Sequence, residues 1–394
     1  MRPPLARVGD LAEQVRGVTY AKEDVSATQV PGFLPVLRAG NITDGGLLYD
    51  DLVFVPANRV SEKQELRRHD VVVAASSGSL EVVGKAAPVL SEFQGSFGAF
   101  CKVLRPNAKV DPGYFAQFFK TSDYRRRVSA LAAGANINNL RKEHLDEMQM
   151  PLPPLPDQRR IADILDKADA LRAKRRAALA QLDTLTQSIF LDMFGDPATN
   201  PKGWPIRAFG RVCETRLGKM LDQKRQTGEH RRPYLRNANV QWFRIDLTSL
   251  LEMDFDEDDR RVLRLEPGDL LICEGGEPGR AAVWRGELDE CYFQKALHRG
   301  RPKPDLANAA YLSWLLWFLG QRGKLSGVTS ATIAHLTGEK LAVLPTMLPP
   351  LPVQRAFANR LAKVQSVADK QLAASHGLDA LFASLQHRAF RGDL

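Results

Sequence analysis

The chain contains much of its sequence twice, and this internal repeat constrains the fold more than any other feature. Pro-Leu-Pro-Pro-Leu-Pro-Asp-Gln-Arg at 151–159 returns as Leu-Pro-Pro-Leu-Pro-Val-Gln-Arg at 348–355, so that Leu152 pairs with Leu348 at an offset of 196 residues. The same offset pairs Ile137 with Ile333, Leu140 with Leu336, Glu143 with Glu339, Leu182 with Leu378 and Asp183 with Asp379. A repeat of this length indicates a duplicated structural unit.

Similarity between the halves extends upstream of the proline motif. Residues 37–42 resemble 235–240, and the apolar run at 70–74 resembles that at 269–273. Short apolar runs followed by small-residue turns are typical of buried strands. Each half is therefore predicted to be an α+β globular unit that ends at a proline stop and continues into a helix. The predicted segments are a globular unit at 1–150, a helical segment at 151–197, a second globular unit at 198–346 and a second helical segment at 347–394.

Helical apolar spacing follows each proline motif. Residues 158–194 contain neither Gly nor Pro, and Gly195-Asp196-Pro197 is a typical helix stop. Alternating steps of three and four residues predict a heptad seam in both helices. In the first helix the predicted inward positions are Ile161, Ile164, Ala168, Leu171, Arg175, Ala178, Leu182, Leu185 and Ile189. In the second they are Phe357, Arg360, Val364, Val367, Gln371, Ala374, Leu378, Leu381 and Leu385.

The two seams are predicted to pair as an antiparallel coiled coil. Both are polar at one equivalent layer, Arg175 in the first helix and Gln371 in the second. Repeated halves are expected to be related by a pseudo-two-fold axis, which makes the helices antiparallel and brings these two residues together. Such a layer fixes the register at some cost in stability, or it is a gap filled by water or by a partner's side chain. The alternative is that each seam packs only on its own globular unit.

Composition excludes several classes of protein. Of 394 residues, 44% are hydrophobic and 26% charged, as in globular chains. The longest apolar run, 311–319, is too short for a membrane span, and the start of the chain lacks the apolar core of a secretory signal. Four scattered cysteines do not form a disulfide framework. We expect a reduced, cytoplasmic protein without a membrane segment, whose net charge of +9 suits a nucleic-acid partner.

The sequence shows no catalytic motif. It lacks the phosphate-binding G-x-x-x-x-G-K-[ST] loop, G-x-G-x-x-G after a strand, the zinc motif H-E-x-x-H and the nucleophile elbow G-x-S-x-G. The acidic run at 254–259 is interpreted as a solvated loop, and the glycine-rich segment at 274–279 as a tight turn. The chain alone is therefore predicted not to be an enzyme and to hold no metal or cofactor.

Polar loops beside strand ends are the candidate DNA contacts. Their donors and acceptors suit base edges, and Arg and Lys suit phosphates or guanine. In the first half the candidates are Arg38, Asn41, Ser76, Ser77, Ser79, Lys85, Asn136, Asn138, Asn139, Arg141 and Lys142. In the second half they are Arg236, Asn239, Glu274, Arg280, Lys295, Ser330, Thr332 and His335. Turn capping is the alternative role of Asn41 and Asn239, which both follow a Leu-Arg pair.

With its duplicated proline-glutamine motif and two long helices, the whole chain resembles the specificity subunit of type I restriction-modification systems. The loop pattern that ends each recognition domain in that family matches Ala135-Asn136-Ile137-Asn138-Asn139 and Ala331-Thr332-Ile333-Ala334-His335. The chain departs from the family pattern at Val353, where the first motif has Asp157, and the second motif is one residue shorter. Both departures lie where the second globular unit joins its helix, and the resemblance implies that they affect how one modification subunit is placed.

This resemblance implies a fold and a function. The globular units would be target recognition domains, each reading one half of a bipartite target in double-stranded DNA. The helices would set the spacing and dock two modification (methyltransferase) subunits, which carry S-adenosylmethionine and methylate adenine. Restriction subunits would add translocation and cleavage that depend on ATP with Mg. Two other classes stay open: a coiled-coil scaffold whose globular units bind proteins, and a nuclease or methyltransferase with an unrecognised site.

Overall fold

A computed structural model describes residues 3–133, 139–223, 226–325 and 335–394 of the chain. The chain divides into two compact units. The first comprises Met1–Ala178 and Gln371–Leu394, and the second comprises Leu179–Lys370. Both dividing points fall inside long helices, so each unit contains one globular part and a segment of each long helix.

Small sheets form the globular part of the first unit. Its strands are β1 (Leu5–Arg7), β2 (Ala12–Arg16), β3 (Phe33–Leu37), β4 (Ile42–Thr43), β5 (Gly46–Leu47), β6 (Val53–Pro56), β7 (Val71–Ala74), β8 (Ala86–Pro88), β9 (Ser96–Phe97), β10 (Cys101–Pro106) and β11 (Gln149–Pro151). The central antiparallel sheet has the order β2-β10-β7-β8, and a second sheet has the order β6-β3-β9. Strand β7 is buried on both faces, which explains its continuous run of β-branched residues.

Helices cover the central sheet of the first unit. They are α1 (Val8–Leu11), α2 (Pro112–Phe118), α3 (Ser122–Ala133), α4 (Lys142–Asp146) and the first part of α5 (Leu155–Phe194). Helix α2 begins where the Asp111 carboxylate accepts the Tyr114 N–H at 3.0 Å, with Pro112 at the first helical position. The rings of Tyr114, Phe115 and Phe118 then enter the core beside Leu104.

The second unit repeats this plan. Its strands are β12 (Ile206–Ala208), β13 (Cys213–Leu217), β14 (Arg231–Leu235), β15 (Val240–Gln241), β16 (Arg244–Ile245), β17 (Leu251–Asp254), β18 (Leu270–Cys273), β19 (Ala281–Val283), β20 (Tyr292–Phe293), β21 (Leu297–Pro302) and β22 (Pro345–Met347). The central sheet has the order β13-β21-β18-β19, and the second sheet has the order β17-β14-β20. The helices are α6 (Phe209–Val212), α7 (Glu257–Leu263), α8 (Ala309–Gln321), α9 (Gly338–Val343) and the first part of α10 (Leu351–Ala389).

The glutamine of each proline motif joins the start of a long helix to the globular part. Gln158 accepts the Asp111 N–H at 2.8 Å and donates to the Pro153 carbonyl at 2.7 Å. In the second unit, Gln354 accepts the Asn308 N–H at 2.9 Å and donates to the carbonyls of Pro349 and Leu306 at 2.7 and 3.1 Å. Both glutamines are buried. Asp111 caps the start of α2 and Asn308 caps the start of α8. The glutamine of each motif therefore has a structural role as a clamp, because it joins the start of a long helix to the start of α2 or α8.

Removing this clamp is expected to be costly. Gln354→Ala should lower the free energy of unfolding by about 1–3 kcal/mol, because a buried N–H and two carbonyls lose their partner. Urea denaturation measures the loss, and Gln365→Ala, an exposed position on the same helix, is the matched control with an expected change of about 0.5 kcal/mol or less. Equal losses for the two variants would contradict the clamp.

In the first unit, the start of α5 packs against the end of α10. Arg172 donates from Nε to Asp379 at 2.6 Å and from Nη1 to Asp169 at 2.8 Å, and its guanidinium lies 4.3 Å from the centre of the Phe382 ring. One turn further, Arg175 donates to Gln371. From the contact with Asp379 to the contact with Gln371, the residue number increases on α5 and decreases on α10, so the helices are antiparallel here. The predicted contact of Arg175 with Gln371 is present, and its effect on register stays a prediction.

In the second unit, the end of α5 packs against the start of α10. The rings of Phe190 and Phe194 each lie 5.4 Å from the ring of Phe357, and α5 ends at Phe194, just before Gly195, whose φ of 80° suits glycine. Both contacts join late residues of α5 to an early residue of α10, which is again an antiparallel arrangement. The predicted α+β class and the antiparallel pairing of the long helices are thus confirmed within each unit.

The predicted seam is wrong at alternate positions. Leu171 and Leu381 in the first unit, and Leu185 and Val367 in the second, are between 45% and 54% exposed. The positions one residue later face inward instead, namely Arg172, Phe382, Thr186 and Ala368. Arg172 tolerates this place because Asp169 and Asp379 balance its charge. In each helix pair, two leucine or valine side chains of the predicted seam are therefore exposed, and we call these four residues the exposed heptad positions.

No helix in the described part of the chain combines the length and apolarity that crossing a bilayer requires.

Candidate nucleic-acid interface

Several predicted DNA contacts of the first half line one cavity. Arg38, Asn41, Ser76 and Ser77 contribute to its wall, and its volume is about 740 Å³. Ser76 and Ser77 follow β7 directly, and Arg38 follows β3, so two strand ends bring these side chains together. Ser79 lies exposed in the same loop as Ser77. Phe100 also lines this cavity and was not among the predicted contacts.

The end of the first recognition loop lies against the same strand end. Asn139 pairs with Ser76 as an isolated β-bridge, and the Leu140 N–H donates to the Ala75 carbonyl at 2.7 Å. Arg141 and Lys142 follow as exposed residues, and half-buried Lys85 lies 3.4 Å from Asp44. Asn136 and Asn138 lie outside the described residues.

The second unit brings its predicted contacts together in the same way. Arg280 donates to the Asn237 carbonyl at 3.0 Å, and Asn237 donates to the Gly275 carbonyl at 3.1 Å, which joins the loop that carries Arg236 to the loop after β18. The His335 ring packs on Gly275 so closely that a Cβ there would lie 3.0 Å from it. The Glu274 N–H donates to the Ala296 carbonyl at 2.9 Å, next to exposed Lys295. Ser330 and Thr332 lie outside the described residues.

Asn41 and Asn239 have the capping geometry that was their alternative role. Asn41 accepts the Arg38 N–H at 2.8 Å and donates to the Asp50 carbonyl at 2.9 Å. Asn239 accepts the Arg236 N–H and donates to the Asp246 carbonyl, both at 2.9 Å. Both side chains are buried. Their amide groups are thus occupied in shaping the turn, and base contact would require the turn to open.

We call the predicted contacts that meet after β7 in the first unit and after β18 in the second unit the two clusters. Their cations differ in how tightly the fold holds them. Arg38 pairs with Asp51 at 2.9 Å and Arg280 with Glu277 at 3.3 Å, and in both pairs the carboxylate is at least half exposed. Exposed pairs contribute about 0–1 kcal/mol, so a phosphate can replace Asp51 beside Arg38 at little cost. Arg280 is only 18% exposed and also donates to the Asn237 carbonyl, so the fold holds it more tightly. Arg141 and Lys295 are themselves exposed. Each cluster can therefore offer positive charge to a nucleic acid.

One residue in each unit holds the segment that follows the predicted recognition loop, and it was missed from the sequence. Lys102 donates from Nζ to the Leu140 carbonyl at 2.7 Å. At the equivalent place, His298 Nε2 lies 3.0 Å from the Leu336 carbonyl, so Nε2 carries the proton and donates it. Leu140 and Leu336 directly follow Asn139 and His335. The 196-residue offset between the two pairs was the available signal, but a lysine and a histidine do not look equivalent in a sequence comparison.

Burial lowers the pKa of His298. The folded protein then binds the second proton less readily than the unfolded chain, whose histidines titrate near ~6.5, so stability is expected to fall as the pH drops through that value. Unfolding of the wild type and of His298→Gln, measured between pH 8 and about pH 5, should show a loss at low pH that is smaller in the variant. Glutamine keeps an N–H donor but does not titrate. Parallel pH curves for the two proteins would contradict this role.

A buried ion pair holds the opposite end of the strand that leads to each cluster. Asp70, just before β7, accepts two bonds from Arg105 at 2.8 Å and the Arg67 N–H at 2.9 Å. Asp269, just before β18, accepts bonds from Arg301 at 2.7 and 2.9 Å and the Glu266 N–H at 2.8 Å. These bonds raise the pKa of Arg301. The strand is thus fixed at its start, and its far end carries the polar loop.

No three His, Cys, Asp or Glu side chains in the described part of the chain lie close enough together to bind a metal ion. The clusters offer hydroxyl, amide, guanidinium and ammonium groups, which make hydrogen bonds to base edges and phosphates.

Comparison with known proteins identifies related chains over the full length. A family model described as the type I restriction modification DNA specificity domain matches residues 5–181. The EcoKI specificity subunit of Escherichia coli (strain K12) is 30% identical over 99% of this chain and 89% of its own length. The StySPI specificity subunit of Salmonella potsdam is 30% identical over 99% of this chain and 88% of its own. A chain from a solved type I R-M system is 18% identical, covers 100% of both chains and has a TM-score of 0.62, which supports the fold.

Proposed function

The chain belongs to the specificity subunits of type I restriction enzymes, and on this premise we propose that its two globular parts each read one half of a bipartite target in double-stranded DNA. The observation that carries this proposal is the repeated cluster. In both units a loop after the central strand, a turn after β3 or β14 and the end of a recognition loop meet at one place. Two similar scaffolds with different side chains suit two different half-sites.

The side chains of the clusters define how each half-site would be read. Ser76, Ser77 and Asn139 donate and accept hydrogen bonds, as base edges in the major groove require. Arg141 and Lys295 are exposed and suit phosphates, which position the protein without specifying sequence. The second cluster contains Glu274, a pure acceptor that suits the amino group of cytosine. The two halves are therefore expected to read different bases.

The exposed heptad positions are the proposed docking places for two modification subunits. Leucine and valine side chains that are about half exposed on a helix offer apolar area to a partner helix. The chain itself is proposed to be non-catalytic. S-adenosylmethionine would be bound by the modification subunits, and ATP with Mg by restriction subunits, where these are present. We propose, on the basis of this function, that the chain acts in the cytoplasm, together with cellular DNA.

Selection from a random duplex library tests the proposed reading. The chain assembled with its modification subunits should enrich DNA with two constant blocks separated by unspecified bases. The chain alone is expected to bind weakly and with a shallow salt dependence, because its partners share the phosphate contacts. A single continuous block, or equal specific affinity for the lone chain, would contradict the proposal.

Docking is tested separately by Leu171→Ser and Leu185→Ser, which remove apolar area from exposed positions. Both variants should lose affinity for the modification subunits in size-exclusion chromatography while they keep the thermal stability of the wild type. Leu90→Ser, at a position that is 71% exposed and belongs to no helix, is the matched control. Retention of both modification subunits by the two helix variants would argue against docking at these positions.

A further inference from the structure

Phe100 is an aromatic residue without a structural reason for its position. Its side chain is 68% exposed, and no other phenylalanine in the described part of the chain is exposed. Burying a phenylalanine ring stabilises a protein by about 1.5–3 kcal/mol, so the fold gains little from a ring left in water. An exposed ring inside a polar cluster points to contact with a ligand.

Backbone hydrogen bonds fix the position of Phe100 in the chain. The Phe100 carbonyl accepts the N–H groups of Ala75 and Ser76 at 2.9 and 3.0 Å, and the Cys101 N–H closes the turn by donating to Gly98 at 2.8 Å. The residue therefore sits between β9 and β10 and beside the loop after β7. Phe100 lines the same cavity as Ser76 and Ser77, so an exposed apolar residue stands near two residues with hydroxyl groups.

The second unit has a related turn without the ring. Ala296 stands at the equivalent position, 196 residues later, and its carbonyl accepts the Glu274 N–H at 2.9 Å. A methyl group therefore replaces the ring there, and the backbone differs as well, since Ala296 has a φ of 92°. The phenylalanine belongs to what distinguishes the two halves and not to the shared scaffold.

Base-edge chemistry identifies what the ring would contact. In the major groove, the edges of the base pairs present donors, acceptors and one apolar group, the C5-methyl of thymine. A phenylalanine ring makes no hydrogen bond to the other groups. We propose that Phe100 reads the C5-methyl group of a thymine in the half-site that residues 1–150 recognise. This inference rests on the proposed function, because it assigns one base to the first reader.

Deoxyuridine lacks only this methyl group and is the direct probe. After the target has been mapped, each thymine of the first half-site is replaced in turn, and binding by the chain assembled with its modification subunits is measured. One replacement should weaken binding about fourfold, the loss that follows from one buried methyl group. In Phe100→Ala the same replacement should have no effect. Leu90→Ala, at another exposed apolar position, should keep the wild-type sensitivity.

The alternative is that Phe100 is a wedge between base pairs, since phenylalanine also inserts between base steps. In that case Phe100→Ala weakens binding to all duplexes by one common factor, and the inference is overturned. It is also overturned if no thymine of the first half-site responds to deoxyuridine, or if the response persists in Phe100→Ala. Failure of the proposed function looks different, because the wild-type complex then shows no sequence preference at all.

Discussion

Asp269→Ala is expected to lower the free energy of unfolding by about 3–5 kcal/mol, because it leaves the Arg301 guanidinium without its buried carboxylate. Asp269 is 1% exposed, while its partner is about one third exposed and keeps a second contact with Glu266 at 2.9 Å. The loss is large because two guanidinium N–H groups and the Glu266 N–H lose their acceptor, while the contact with Glu266 and the partial exposure of Arg301 offset part of it. Urea denaturation of the full chain measures the loss.

Arg261→Ala in the same unit is the matched control. Arg261 pairs with Asp258 at 2.9 Å, but both side chains are more than 70% exposed, so a change of at most about 1 kcal/mol is expected. In the other half, Asp70→Ala should resemble Asp269→Ala, since Asp70 makes the equivalent bonds to Arg105. A loss below about 1 kcal/mol for both aspartate variants would show that the pair does not anchor the central strand.

Phe194→Ala is expected to lower the free energy of unfolding by about 3–5 kcal/mol. The ring is fully buried, and its centre lies 4.7 Å from that of Tyr311 and 4.9 Å from that of Phe190. Its removal leaves a cavity where the end of α5 meets α8 and α10. Denaturation measured through tryptophan fluorescence suits this variant, because Trp314 belongs to the same core.

The internal repeat supplies the control for this prediction. Phe390 stands 196 residues after Phe194, and its ring stacks on Tyr114 at 4.9 Å in the first unit. Phe390 is only half buried, so Phe390→Ala should cost less than about 3 kcal/mol. A larger loss for Phe390→Ala than for Phe194→Ala would contradict this account of the two helix ends.

The repeat predicted much of the fold because a feature that occurs at equivalent positions in both halves can be recognised from the sequence. The proline motifs, the buried runs before Ser76 and Glu274, and the helix pair were all found from pairs of equivalent residues. The contact of Arg175 with Gln371 followed from their shared layer and is present. Duplication does not reveal where the two copies differ, and His298 in place of Lys102 shows this.

The sequence of one helix could not show which of its faces packs against the other helix. Leu171 is more apolar than Arg172, so the periodicity favoured the wrong stripe. Arg172 faces inward because Asp169 on its own helix and Asp379 on the other helix hold it, and because its guanidinium lies over Phe382. Two of these three partners become visible only when the helices are paired.

The candidate DNA contacts were chosen by residue type, so the choice included residues that the fold uses itself and omitted an exposed aromatic residue. Asn41 and Asn239 were included because amides suit base edges, although both amides are used inside the fold. Phe100 was omitted because phenylalanine is usually a core residue, and its exposure depends on the turn that places it. Asn136, Asn138, Ser330 and Thr332 stay predictions outside the described residues.

The most direct measurement exchanges residues 198–346 for the corresponding segment of another specificity subunit. Adenine methylation is then sequenced in cells that express the chimaera together with the modification subunits. If the two globular parts read independently, the methylated motif should stay split. The half read by the exchanged segment should change, while the half read by residues 1–150 should stay as in the wild type. Methylation in which both halves change together, or a motif without two separated parts, would contradict the assignment of one half-site to each globular part.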